Sequence, residues 1–196
     1  MDDYVTVANT GSDFSTVPFT WTAWVKADQL PSAAAQNKNI VIMGHSSAPW
    51  TAYEIWADDA GNVFKWTVRD SGGTARTVVA DSALVANRWY HIAAILDSNY
   101  KSRLYIDGVL QSQTQSNASL FAPNSNLILG GNSSTNQGWD GPIDDIRFYK
   151  RALSPGEVKA LYDSTKPIQF IRQTGLTANG ETTPHSASFS TLPSVS

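Results

Sequence analysis

Apolar positions along this chain recur in short runs, and most runs alternate with polar residues at a period of two. Ten such runs stand between turn-forming clusters, over 4–7, 19–27, 39–45, 51–58, 63–69, 74–80, 89–97, 103–115, 126–131 and 142–149. Val, Ile, Thr, Tyr and Trp fill them, while Gly, Asn, Asp and Ser crowd the gaps, which is the chemistry of strands and turns. Within the 103–115 run, Asp107-Gly108 supplies the two positive-φ positions of a type I′ turn and predicts a hairpin. No long helical pattern alternates with these runs, so doubly wound and barrel α/β folds are excluded. The expected fold is all-β: a two-sheet antiparallel jelly-roll sandwich.

One short helix is expected near the end of the pattern, in "SPGEVKALY". Ser154 is an N-cap, Pro155 suits the first helical position, and Glu157 completes a capping box. Val158, Leu161 and Tyr162 then share a face, and so short a helix needs to dock on the sandwich to persist. After Lys166 the pattern lapses. "PIQFIRQ" has the make-up of one more strand or a contact segment, and nine of the last twenty residues are Ser or Thr. Such a stretch buries too little apolar surface to fold alone. The chain therefore divides into a sandwich domain, 1–163, and a Ser/Thr-rich tail or docking arm, 164–196.

Composition narrows the functional classes. A chain of 196 residues, 41% hydrophobic and 16% charged, holds one domain with a real core. Its net charge is −3 and it has no basic stripe, so nucleic-acid binding is not expected. It has no cysteine, which excludes disulfides, thiolate metal sites and thiol nucleophiles. No apolar run reaches membrane-spanning length. "MDDYVTV" lacks the basic and apolar regions of a signal peptide, so none is expected in this chain.

Six segments, "DDYVTV", "FTWTAWVKADQL", "NRWYHIAAILD", "RLYIDGVLQ", "NLILGG" and "GPIDDIRFYKRALSPGEVKALY", occur in an order that resembles a known family. Over residues 2–163 the chain is similar to the laminin G-like jelly-roll domains of the concanavalin A-like lectin/glucanase superfamily. The resemblance implies two stacked antiparallel sheets, a frequent structural calcium ion, and a role as a glycan-binding, adhesion or targeting module. Such domains usually begin with an apolar strand before the "DDYV" position, which Met1 cuts short here. The resemblance also places Trp24 and Trp89 in the core.

The adjacent carboxylates Asp144 and Asp145 raise the question of acid–base chemistry. Neighbouring strand residues point to opposite faces, so the two cannot form a juxtaposed pair. Ile146 and Phe148 mark the even face as the core face, which carries Asp144 into the rim of the sandwich; Asp145 and Arg147 then form a surface ion pair. A carboxylate at the rim needs a cation or several donors. Two readings stand: a cap for neighbouring loop amides, or a calcium ligand, as the resemblance implies for this position together with the N-terminal "DDY" edge; Asp2 or Asp3 would supply further oxygens, with Asp140 in the preceding loop as a third candidate. Calcium takes six to eight oxygens, many of them backbone carbonyls, so a dense acidic motif is not required.

Glu54, Trp56 and Asp58 share a face of the 51–58 strand, where glycosidases of the superfamily carry carboxylates. Here Trp56 stands where the central acid would be. Glu54 and Asp58 are on the order of 13 Å apart along a strand, whereas glycosidases hold their carboxyls roughly 5–9.5 Å apart. His45, His91 and His185 show no catalytic spacing. The expected function is thus a non-catalytic recognition module for a glycan or surface protein, acting extracellularly, at a cell surface or on a virion. The alternative is a virion or cell-surface decoration protein whose 164–196 arm docks on another subunit; a glycoside hydrolase ranks below both. For ligand contact, the aromatic and amide candidates are Trp50, Tyr53, Trp56, Trp139, Asn132 and Gln137, the last three in the loop "GGNSSTNQGWDG".

Overall fold

The computed structural model describes residues 4–9, 14, 16–44, 51–131 and 137–166. The first sheet runs, in spatial order, β1 (Val5–Val7), β11 (Leu127–Leu129), β3 (Lys38–Gly44), β4 (Thr51–Ala57), β5 (Phe64–Arg69) and β6 (Ala75–Val79). The second runs β10 (Gln115–Ser116), β8 (Lys101–Ile106), β7 (Trp89–Leu96), β2 (Phe19–Lys26) and β12 (Ile143–Tyr149), with β9 (Val109–Leu110) also paired to β8. All these pairings are antiparallel. The fold is therefore the jelly-roll sandwich that the alternation predicts.

Side chains from both sheets meet in one core. The Phe19 ring of β2 lies 4.9 Å from Tyr53 of β4 and 6.2 Å from Trp66 of β5, centroid to centroid. These three rings are fully buried, and burying a side chain of this kind contributes about 1.5–3 kcal/mol. The predicted hairpin forms, with Asp107 at φ 52° and Gly108 at φ 78°. A second short helix, α1 (Pro31–Ala34), follows β2 and has no counterpart in the hydrophobic pattern.

The outer face of the second sheet is closed by α2 (Pro155–Thr165), which extends through Ser164 and Thr165. Its capping box is complete: Ser154 Oγ accepts from the Glu157 amide, and Glu157 accepts from the Ser154 amide. Leu153 and Val158 pack on Ala93, Ile95 and Tyr105. Trp24 stacks against Tyr162 at 5.7 Å, so it is buried beneath the helix and outside the inter-sheet core. Thr20, on the same outer face, bonds Arg151 and Leu153 backbone. With both faces covered, β2 reads as an almost continuous buried run. Trp89, by contrast, is only half-buried at the start of β7, so its assignment to the core does not hold.

Strand β12 departs from simple alternation. Asp144 pairs with Trp24 and Arg147 with Thr22, so two residues oppose Ala23 in a β-bulge. Asp145 takes a left-handed conformation, φ 48°, to accommodate the extra residue. Ile143 packs on the core before the bulge, and Ile146 and Phe148 do so after it. The core-facing parity therefore switches within the strand. Asp144 falls on the outer side with Trp24 and is exposed, in place of the core-facing rim position that its parity with Ile146 predicts.

Candidate functional site

Strand alternation on β4 and β5 sends two sets of side chains in opposite directions. Tyr53, Ile55, Phe64, Trp66 and Val68 enter the core. Glu54, Trp56, Lys65, Thr67 and Arg69 take the other face, the outer face of the first sheet. Trp56 pairs across the strands with Lys65, whose Nζ lies 4.8 Å from the indole centroid. Its Nε1 donates to Thr67 Oγ1 at 2.9 Å, and Thr67 Oγ1 lies 2.9 Å from Thr77 Oγ1 on β6. A half-buried indole is thereby fixed across β5, with charged and hydroxyl groups around it. Apolar sugar faces stack on such a ring, while their hydroxyls use neighbouring donors and acceptors.

The two acids, Glu54 on β4 and Asp58 just after it, are committed elsewhere. Glu54 faces Arg69 at 3.7 Å; burial raises its pKa and the guanidinium partly offsets this. Asp58 is buried and caps the following turn, accepting from Gly61 and Val63 amides and from Lys65 Nζ at 2.6 Å. Burial alone would raise its pKa, but the Lys65 bond and the two amides hold it below the ordinary carboxylate value. The two carboxylates belong to separate ion pairs and share no reacting centre.

Other expected ligand contacts are placed differently. Tyr53 is fully buried, its hydroxyl donating to the Phe14 carbonyl at 2.8 Å, so it is a core residue and offers no surface for a ligand. It could not have shared a face with Trp56, three positions along the same strand. Trp139 is 8% exposed and lies 6.1 Å from the Phe64 ring, closing one end of the core. Its ring sits mostly in the core, and its exposed edge lines the pocket between β1 and β12. Gln137 ties its loop to β3, accepting from Asn39 through both its backbone carbonyl and its side chain. Trp50, Asn132, Asp2 and Asp3 lie outside the described residues.

A pocket of about 430 Å³ opens between β1 and β12, lined among others by Tyr4, Val5, Leu129, Ile143, Asp144 and Ile146. The backbone before β12 is held here by Gly141, where a side chain would collide with the Lys26 carbonyl oxygen. Asp145 also lines the pocket, but both its oxygens accept from Arg147, at 2.7 and 2.9 Å. Asp144 Oδ1 accepts from the Asp145 amide at 2.7 Å. Asp140 is not among the residues lining this pocket, although its carbonyl accepts from Asp28 nearby in the chain fold. Among the described residues no three His, Asp or Glu side chains are grouped as for a metal ion. Of the expected calcium ligands, Asp144 alone is both described and on this pocket, and its Oδ1 caps the Asp145 amide, as the capping reading expects.

The basic and hydroxyl partners of Trp56 were missed by sequence reasoning. Their signal was present in "FKWTVR", whose outward positions are Lys65, Thr67 and Arg69. The pocket left no such trace, because the bulge that shapes it breaks the pattern.

A sandwich of two such sheets, helix-covered on one side, defines the lectin-type jelly-roll class. The chain belongs to the concanavalin A-like lectin/glucanases superfamily, whose profile matches residues 1–159. A botulinum-like toxin of Enterococcus sp. (strain 3G1_DIV0629) is 26% identical over 152 residues, covering 74% of this chain and 12% of the toxin. The chain thus spans only about an eighth of that relative. Among solved structures, the binding domain of Paraclostridial Mosquitocidal Protein 1 superposes with a TM-score of 0.66 at 19% identity, over 82% of this chain and 41% of that one. The receptor binding domain of botulinum neurotoxin D gives 0.64 at 13%, over 83% and 41%. A Trypanosoma rangeli sialidase gives 0.57 at 18%, over 74% and 22%. At these identities the structures establish the shared fold.

Proposed function

We propose that this domain is a non-catalytic recognition module that binds a glycan or protein at a cell surface, acting outside the cell, with the Trp56 face as its contact surface. The observation that carries the reading is the indole of Trp56, fixed across β5 by Thr67 and Lys65. Similarity to a botulinum-like toxin and to toxin binding domains supports a recognition role. The separate commitments of Glu54 to Arg69 and of Asp58 to Lys65 support the absence of glycosidase chemistry. A structural calcium belongs to the proposal, with Asp144 as its described carboxylate ligand and Asp3 and Asp2 as further oxygen donors. A glycan array and a surface-protein capture, run beside a β-glucan hydrolysis assay, test the reading. Binding without hydrolysis is expected; hydrolysis lost in Glu54→Gln would overturn it.

A further inference from the structure

The seam between the two sheet edges is incomplete. Strand β1 pairs only with β11 and β12 only with β2 among the described pairings, and the pocket lies between them. Its floor is apolar, formed by Leu129, Ile143 and Ile146, while Val5 at its mouth is 59% exposed. Paired edge strands and an apolar slot make a template for one more extended segment.

We propose that residues 167–172, Pro-Ile-Gln-Phe-Ile-Arg, occupy this seam as an added strand. Ile168 and Phe170 fill its floor and Gln169 faces outward. The described chain ends beside the seam. Thr165 accepts from Trp24 Nε1 at 2.8 Å, and Trp24 pairs with Asp144, which lines the pocket. Adjacent strands are about 4.8 Å apart, and an extended chain advances about 3.4 Å per residue. Ile168 to Phe170 follow Thr165 by three to five residues, a reach of about 10–17 Å, enough to pass round the edge strand β12. Ile168, Gln169 and Phe170 alternate as in a strand with one buried face, with Ile171 on the opposite face beside Gln169, and 167–172 is the most apolar stretch after α2.

The chain has no native cysteine, so paired cysteines give a clean test in the full-length chain. Val5→Cys with Phe170→Cys is expected to form an intramolecular disulfide on mild oxidation, at least tenfold faster than Val5→Cys with Phe189→Cys. Equal rates, or links formed only between chains, would overturn the proposal; the second result would assign the seam to another copy. Hydrogen exchange on the unmodified chain gives an independent reading. Amides of 168–171 are expected to exchange at least tenfold more slowly than those of 177–196, and equal rates would contradict the docking.

Discussion

Trp24 donates its indole N–H to Thr165 Oγ1 at 2.8 Å, fastening the last turn of α2 to β2 of the second sheet. The two residues are 141 positions apart, so one bond joins the start of the sandwich to its end. Its removal by Thr165→Val strands a buried indole donor, and a loss of about 1–3 kcal/mol is expected. Urea unfolding measures it. An unchanged midpoint would show that the helix end is not fastened there.

The capping box at the other end of α2 has its own signature. Ser154→Ala removes the acceptor for the Glu157 amide and is expected to cost about 1 kcal/mol in the same assay. Ser154→Asp is expected to restore most of that loss.

His91 makes stability depend on pH in a defined window. It is buried between Trp24 and Tyr162, with Nδ1 unpartnered. Burial lowers its pKa from 6.5 to about 4, against the raising influence of Asp107 and Asp145; Arg147 adds to the lowering. Between these values the unfolded chain binds more protons than the folded one, so stability is full above pH 6.5 and falls as pH falls towards 4. The full loss is of order 3 kcal/mol. Asp58 and Asp97, with lowered pKa values, lose their contributions only below their ordinary value of 3.8, outside this window. Glu54, whose raised pKa places its titration above 4.5, acts in the opposite sense as pH falls. Unfolding free energies at pH 7 and pH 4.5 check this, and His91→Gln is expected to remove the loss on acidification.

Calcium at Asp144 is open to a direct test. Chelation with EDTA is expected to lower the melting temperature of the wild type, and Asp144→Asn to abolish that difference. A melting curve indifferent to chelator would remove calcium from the account.

What the sequence disclosed, and what it hid, follows from the range of the interactions. Strand alternation, the Asp107-Gly108 turn and the Ser154–Glu157 box are local, and the structure contains all three. The bulge puts Asp145, a non-glycine residue, in the left-handed region, and no local pattern announces it. The inference from Ile146 to Asp144 failed for that reason. Trp139 lies in a loop rich in polar residues, yet its ring is buried through a contact with Phe64, 75 positions earlier. Tyr53 and Trp56 share a strand but not a face, and which face is internal depends on how the second sheet stacks. Of the aromatic candidates within the described residues, Trp56 keeps a half-buried ring on the outer face of the first sheet, and Trp139 keeps only an edge at the pocket.

The most direct test of that assignment is the affinity of Trp56→Ala for the strongest array or surface ligand of the wild type. Loss of the stacking ring is worth about 1–3 kcal/mol by analogy with other aromatic platforms, so binding is expected to weaken roughly tenfold or more, with the melting temperature little changed. Wild-type affinity in a folded Trp56→Ala variant would contradict the account.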